Sequence, residues 1–160
     1  MIFVFGEYKV DIDVNKTKKR YDNADKISEG CTCDACINFE KAFDVLPKEV
    51  TNFFSKLGID PKKMDECFRN CTNDDGSLFY SALCYLSGTV LEGESAWEEV
   101  DTSGYNCYTW NADKAYEVTN GFYVSFENAV FMEDESRAPI VKLEISANIP
   151  WVLEKENHYL

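Results

Sequence analysis

Hydrophobic and polar residues follow two different periods along this chain, and the period changes near Gly76. At the N-terminus, residues 8–14 alternate between apolar and charged side chains, which is the pattern of a half-exposed β-strand. Gly6 indicates a turn between this strand and an apolar segment over residues 1–5. The polar stretch 15–30 predicts only a short helical turn and a loop.

Between residues 34 and 71 the apolar spacing changes to that of helices. A first helix is predicted to end before Pro47, and a second to begin there and end at Gly58 as its C-terminal cap. A third is predicted from Asp60 and Pro61 onward. The apolar stripes of the three predicted helices are Cys36, Phe39, Phe43 and Leu46; Val50, Phe53, Phe54 and Leu57; and Met64, Cys67, Phe68 and Cys71.

After Gly76 the sequence is rich in aromatic and β-favouring residues and reads as a series of strands. Gly88 predicts a bulge, and Asn120-Gly121 and Glu127-Asn128 predict tight turns. Near the C-terminus, residues 141, 143 and 145 are apolar and alternate with polar positions. A run of helices followed by a run of strands predicts an α+β fold, with a helical segment of about 34–71 packed on a mainly antiparallel sheet in a single domain, 1–160.

The formal net charge is −13, from 29 acidic and 16 basic side chains. Such a charge repels phosphate backbones and anionic lipids, which excludes nucleic-acid and membrane-surface binding from our expectations. It favours association with a basic protein. The segments with the densest carboxylates are Glu92–Asp101 and Glu133–Glu135, and Trp97 in the first of them is a candidate interface anchor.

The N-terminal segment has no basic region followed by an unbroken apolar run, and no segment has about 20 consecutive apolar residues. These features predict a cytoplasmic protein. In that reducing compartment, thiols are expected to be free, metal-bound or redox-active rather than paired in structural disulfides. The odd number of cysteines, seven, agrees with free thiols.

Three of these cysteines, Cys31, Cys33 and Cys36, fall within six residues, and we call them the cysteine cluster. Three thiolates could bind zinc, which takes four ligands in a structural site. The fourth ligand could come from Cys67 or Cys71, and the alternative metal set that we consider is the cysteine cluster with Cys71. A predicted helix would place both candidates on one face, four residues apart.

A second hypothesis treats Cys33 and Cys36 as a redox dithiol at a helix N-terminus, where the helix dipole lowers a thiol pKa. Asp34 between them opposes this effect. The interpretation that we prefer places Cys36 in the core as a small apolar residue and binds no metal or cofactor. The one histidine, His158, is near the chain end, and no residue is predicted to be catalytic.

Several segments resemble a family of small bacterial proteins found mainly in low-GC Gram-positive species. They include "CTCDACINF", "FFSKLGIDP", "NGFYVSFE" and "IPWVLE", and the similarity covers nearly the whole chain. The resemblance implies a bacterial, cytosolic, single-domain protein. No activity is assigned to this family, so it gives no role to any residue here.

Three functional classes follow. The first, which we prefer, is a non-catalytic acidic module for protein interaction or regulation, similar in kind to an immunity protein, with a basic protein as its partner. The alternative is a zinc-binding or thiol-redox protein that uses the cysteine cluster. The third is an enzyme with a pocket between helices and sheet.

Overall fold

The computed structural model describes residues 1–129 and 139–160. The helices are α1 (Val14–Asp22), α2 (Ile27–Gly30), α3 (Asp34–Ala42) and α4 (Lys48–Leu57). The strands are β1 (Ile2–Phe5), β2 (Tyr8–Ile12), β3 (Glu66–Thr72), β4 (Leu78–Glu92), β5 (Trp97–Asp101), β6 (Asn106–Trp110), β7 (Tyr116–Thr119), β8 (Phe122–Ala129) and β9 (Ile140–Ile149). Helices precede most of the strands, and the predicted α+β class is confirmed.

The main sheet has the strand order β1-β2-β4-β9-β8-β7, and all its pairs are antiparallel. The long strand β4 pairs with β9 along one side, and β3 and β2 share its other side. Gly88 lies at the end of β4 where its pairing with β2 begins, opposite Ile12. A Cβ atom there would lie 2.2 Å from the carbonyl oxygen of Asp11, so only glycine permits this approach. Strands β5 and β6 form a separate hairpin.

The core lies between one face of the sheet and helices α3 and α4. The helices and the C-cap residue of α3 contribute buried side chains at Phe39, Phe43, Val50, Phe53, Phe54 and Leu57, as the periodicity predicted. The sheet curls around them, because the rings of Phe5 in β1 and Tyr116 in β7 are 5.5 Å apart although these strands are at opposite ends of the strand order. The helices therefore fill the concave side of a strongly curved sheet.

The predicted helical segment is confirmed as far as Leu57, but its third helix does not form. Asp60 does cap a helical turn, since its carboxylate accepts from the backbone N–H of Lys62, yet this turn covers only Pro61–Lys63. The chain then becomes β3, which pairs with β4. Cysteine, phenylalanine, asparagine and threonine are weak helix formers, so the available strand edge decides the conformation of Glu66–Thr72.

Two further details differ from the predictions. The polar stretch after residue 13 contains a full helix, α1, whose N-cap is Asp13 and whose buried residues Thr17 and Tyr21 are four positions apart. The turn predicted at Glu127-Asn128 does not occur, because β8 continues through both residues to Ala129. The turn at Asn120-Gly121 is confirmed between β7 and β8.

Candidate metal centre

The cysteine cluster lies where α2 ends and α3 begins. Cys31 is the C-cap of α2, Cys33 is the N-cap of α3, and Cys36 is in the first turn of α3. Their three sulfur atoms all lie within 4.8 Å of one another, and those of Cys31 and Cys33 are 3.3 Å apart. Four thiolates about 2.3 Å from one zinc ion are about 3.8 Å from each other, so the observed separations fit a metal site with little movement.

Two hydrogen bonds between backbone N–H groups and glutamate carboxylates hold the segment that carries Cys31. The carboxylate of Glu29 accepts from the backbone N–H of Lys26 at 2.6 Å, and the carboxylate of Glu40 accepts from that of Ser28 at 2.8 Å. The second bond joins α2 to α3. The positions of the three thiols are therefore set by two helix ends that are tied together.

Cys67 of β3 approaches the same cluster from the sheet. It lies opposite Ala82 of β4, and opposite residues in an antiparallel pair share a face, so its side chain is on the face that the helices cover. A register shift follows Arg69, and Cys71 lies opposite Phe79 on the other face. The structure thus places Cys67 beside the cluster, whereas Cys71, the fourth ligand in the predicted metal set, is exposed and faces away.

The thiols differ in their affinity for protons. The pKa of Cys31 is lowered, chiefly because its sulfur accepts a hydrogen bond from the Cys33 backbone N–H, and also by the thiols of Cys33 and Cys36. Burial raises the pKa of Cys36. Burial, followed by the nearby sulfurs of Cys33 and Cys31, raises the pKa of Cys67 to about 12. Thiolate formation is therefore easier at Cys31 than at Cys36 and Cys67, which hold their protons unless a cation replaces them.

Asp34 follows Cys33 in the chain, but its negative charge is offset by the C-terminal segment. It forms an ion pair with Lys155, and the Nδ1 atom of His158 is 3.4 Å from its carboxylate. The imidazole also lies 4.2 Å from the ring of Tyr159. These contacts join the C-terminal segment to the start of α3, and Asp34 opposes thiolate formation less than its position in the sequence suggests.

The remaining cysteines take separate positions. Cys36 is half-buried and packs against the core, so it is less buried than the predicted place on the apolar stripe of α3 implies. Cys84 is buried on β4, and Cys107 is exposed on β6. All seven cysteines belong to the described residues, and each is a free thiol.

Three acidic residues outside the cysteine cluster have structural partners. Asp11 pairs with the N-terminal ammonium group at 2.8 Å, Asp13 caps α1, and Asp75 accepts from Ser77 within a turn. Trp97 is half-exposed at the start of β5. The acidic segment at residues 133–135 lies outside the described residues.

No protein-family model, curated protein or solved structure matches this chain. The resemblance in the sequence therefore stays an expectation. Among the described residues, no helix has both the length and the apolar character needed to cross a bilayer.

Proposed function

We propose that this protein binds a zinc ion through Cys31, Cys33, Cys36 and Cys67, and that the ion has a structural role. The observation that carries the proposal is the convergence of three sulfur atoms within 4.8 Å of one another. Cys67 supports it, since it is half-buried on the same side of the sheet and adjacent to these thiols. Four thiolates form a closed tetrahedral set, which is typical of structural rather than catalytic zinc.

The ion would join the junction of α2 and α3 directly to strand β3. Three of its ligands come from the junction of α2 and α3, and Cys67 comes from the edge strand β3. Zinc bound at this position would replace the protons of Cys36 and Cys67 with a shared cation. Because the ligands converge only in the folded chain, metal binding would stabilise the folded state.

A thiol-redox function is the second candidate, and the separation of 3.3 Å between the sulfurs of Cys31 and Cys33 favours it. Closing a disulfide requires these atoms to approach to about 2.05 Å. The pKa of Cys31 is lowered, chiefly by the hydrogen bond that it accepts from the Cys33 backbone N–H, and this favours the thiolate form that attacks in disulfide exchange.

The metal proposal is tested by elemental analysis and native mass spectrometry of protein that is purified without chelator or reconstituted with zinc. We expect one zinc ion per chain in the wild type and in Cys71→Ser, and loss of zinc in Cys67→Ser. X-ray absorption should give four sulfur neighbours at about 2.3 Å. The Cys71→Ser variant is a matched control, because it removes a thiol from the same strand but from the other face. Protein that stays metal-free after reconstitution would refute the proposal.

The redox candidate is separated from the metal site by treating metal-free protein with diamide. A Cys31–Cys33 disulfide would lower the mass by two hydrogens, and Cys33→Ser would abolish that change. If zinc-loaded wild type resists diamide and the metal-free form does not, the thiols serve metal binding first. Rapid oxidation at equal rates with and without zinc would support the redox function instead.

A further inference from the structure

A groove lies on the face of the main sheet opposite the helices, between the β5–β6 hairpin and strands β8 and β9. It has a volume of about 520 Å³, which is within the usual range for a binding pocket. Its lining consists of Ser95, Trp97, Tyr108, Glu127, Lys142 and Glu144. None of these residues belongs to the proposed metal site, which is on the other side of the sheet.

The charges on the floor of this groove do not balance. Lys142 forms ion pairs with both Glu127 and Glu144, and its ammonium nitrogen is 3.2 Å from the Glu144 carboxylate. One ammonium group between two carboxylates leaves one negative charge. Glu99 adds another beside the groove, since it lies opposite Tyr108 in the hairpin and therefore on the same face.

One of the two carboxylate oxygens of Glu144 has no hydrogen-bond donor among the described residues. Its Oε2 atom is buried, and among the described residues no donor reaches it with hydrogen-bond geometry. Burial raises the pKa of Glu144, although Lys142 and the Trp97 indole oppose that effect. Buried carboxylate oxygens are almost always satisfied, so this oxygen can accept from a water molecule or from a ligand donor in the groove.

The wall of the groove is aromatic. Trp97 and Tyr108 project from the same face of the hairpin, because Trp97 lies opposite Trp110 and Tyr108 is two residues before it. The indole rings of Trp97 and Trp110 pack edge to face at 5.5 Å, which fixes the orientation of Trp97. Tyr108 is 59% exposed and free to contact a ligand. Aromatic faces next to carboxylates attract cations.

We infer that this groove binds an arginine side chain of a basic protein partner, with the guanidinium group between Glu144 and the faces of Trp97 and Tyr108. A guanidinium group is planar, so it can stack on a ring while its N–H groups donate to a carboxylate in the same plane. An ammonium group can donate to a carboxylate but has no planar face to stack on a ring. The net charge of −13 attracts a basic partner, which supports a protein rather than a neutral small molecule as the source.

The groove has room for more than one residue of a partner. A second cavity of about 280 Å³ adjoins it and shares Trp97 and Glu144. Phe68 of β3, which is 55% exposed, lines this second cavity. If an arginine of the partner occupies the groove, the next residue of the partner chain can pack against Phe68 in the second cavity. The two cavities can therefore accept a short peptide segment.

The test uses the tripeptide acetyl-Gly-Arg-Gly-amide, with analogues in which lysine or citrulline replaces arginine. Citrulline keeps the shape of arginine and removes its charge. Binding is followed by the NMR signals of the tryptophan indole N–H groups in uniformly labelled protein, assigned with Trp97→Phe. We expect the arginine peptide to shift the Trp97 signal and to bind at least about tenfold more tightly than the citrulline peptide, with lysine between them.

Variants locate the site. Glu144→Gln should weaken binding of the arginine peptide about tenfold, and Glu154→Gln, which removes one negative charge from an exposed position, should leave it unchanged. Tyr108→Ala is a second variant in case Glu144→Gln does not fold, because an exposed side chain can be removed without disturbing the core. It should also weaken binding.

Three outcomes would overturn the inference. Equal binding of the arginine and citrulline peptides would exclude guanidinium recognition. Equal weakening by Glu144→Gln and Glu154→Gln would show that overall charge, not this groove, attracts the peptide. If arginine amide binds as tightly as the tripeptide, the site takes a free small molecule and the assignment to a protein partner fails. None of these outcomes depends on whether zinc binds to the cysteines.

Discussion

The hydroxyl group of Tyr80 donates a hydrogen bond of 2.8 Å to the carbonyl oxygen of Ala35, in the first turn of α3. Tyr80 lies on β4, so this bond fixes the helix that carries Cys36 to the centre of the sheet. The neighbouring side chain of Asn38 donates to the carbonyl oxygen of Pro150 at 3.0 Å and accepts from the N–H of Val152 at 2.8 Å. Helix α3, strand β4 and the C-terminal segment are thus joined by a buried polar network.

Replacing Tyr80 by phenylalanine is expected to lower the free energy of unfolding by about 0.5–1.5 kcal/mol, because the buried hydrogen bond from its hydroxyl group to the carbonyl oxygen of Ala35 is lost. Urea denaturation followed by circular dichroism measures this change. Tyr105→Phe is the control, since Tyr105 is 79% exposed and its removal should have almost no effect. Equal stability of the two variants would show that the hydrogen bond contributes nothing.

Zinc affinity is expected to fall steeply as the pH is lowered. Burial raises the pKa of Cys36, and burial with the nearby sulfurs raises that of Cys67 to about 12, so both thiols are protonated at neutral pH and zinc must displace their protons. Each proton released changes the affinity about tenfold per pH unit, so these two thiols alone predict a change of at least about a hundredfold per pH unit. Competition with a chromophoric chelator at several pH values measures this slope. A slope near zero would contradict binding by these thiols.

Alkylation with iodoacetamide should distinguish the thiols in metal-free protein. Cys31 is expected to react before Cys36 and Cys67, because the hydrogen bond from the Cys33 backbone N–H lowers the pKa of Cys31 whereas burial raises the pKa of the other two. Peptide mass mapping identifies the modified residues. Zinc should protect the four ligands and leave the exposed Cys107 reactive, which provides an internal control. Equal protection of Cys107 would indicate general masking rather than coordination.

Gly88→Ala is expected to destabilise the fold by well over 1 kcal/mol, since the added Cβ atom would be 2.2 Å from the carbonyl oxygen of Asp11. The strands β2 and β4 would have to separate at this point. Gly30→Ala is the matched control, because no atom lies within 4 Å of the position of its Cβ. Thermal unfolding of both variants measures the difference. A Gly88→Ala variant as stable as the control would contradict the close approach of these strands.

Helices α3 and α4 could be predicted because each has a complete apolar stripe with a proline or glycine at its end. Strand β3 could not, because Cys67 and Cys71 are spaced as one helical face would require, and only the free edge of β4 makes the segment a strand. This difference determines which cysteine can be the fourth ligand of the proposed metal site. A helix puts Cys67 and Cys71 on the same side, whereas a strand with a register shift puts them on opposite faces.

The groove beneath the β5–β6 hairpin was visible in the sequence only as an acidic stretch around Trp97. Its chemistry depends on Glu127 lying opposite Lys142 across two strands, and on the hairpin covering them. Such pairings join residues far apart in the chain, and no local periodicity encodes them. The cysteine cluster was predicted because its three members are neighbours in the sequence.

The arrangement of β4 between β9 and the edge pair of β2 and β3 has a consequence for how fast the chain folds. The pairing of β4 with β9 begins at Ser87 and Ile140, more than fifty residues apart, so a long loop must close before the central ladder gains any hydrogen bonds. Folding is therefore expected to take milliseconds to seconds rather than microseconds. Until that ladder forms, the apolar faces of α3 and α4 have no sheet to cover them, and this interval is when the chain is most prone to aggregate.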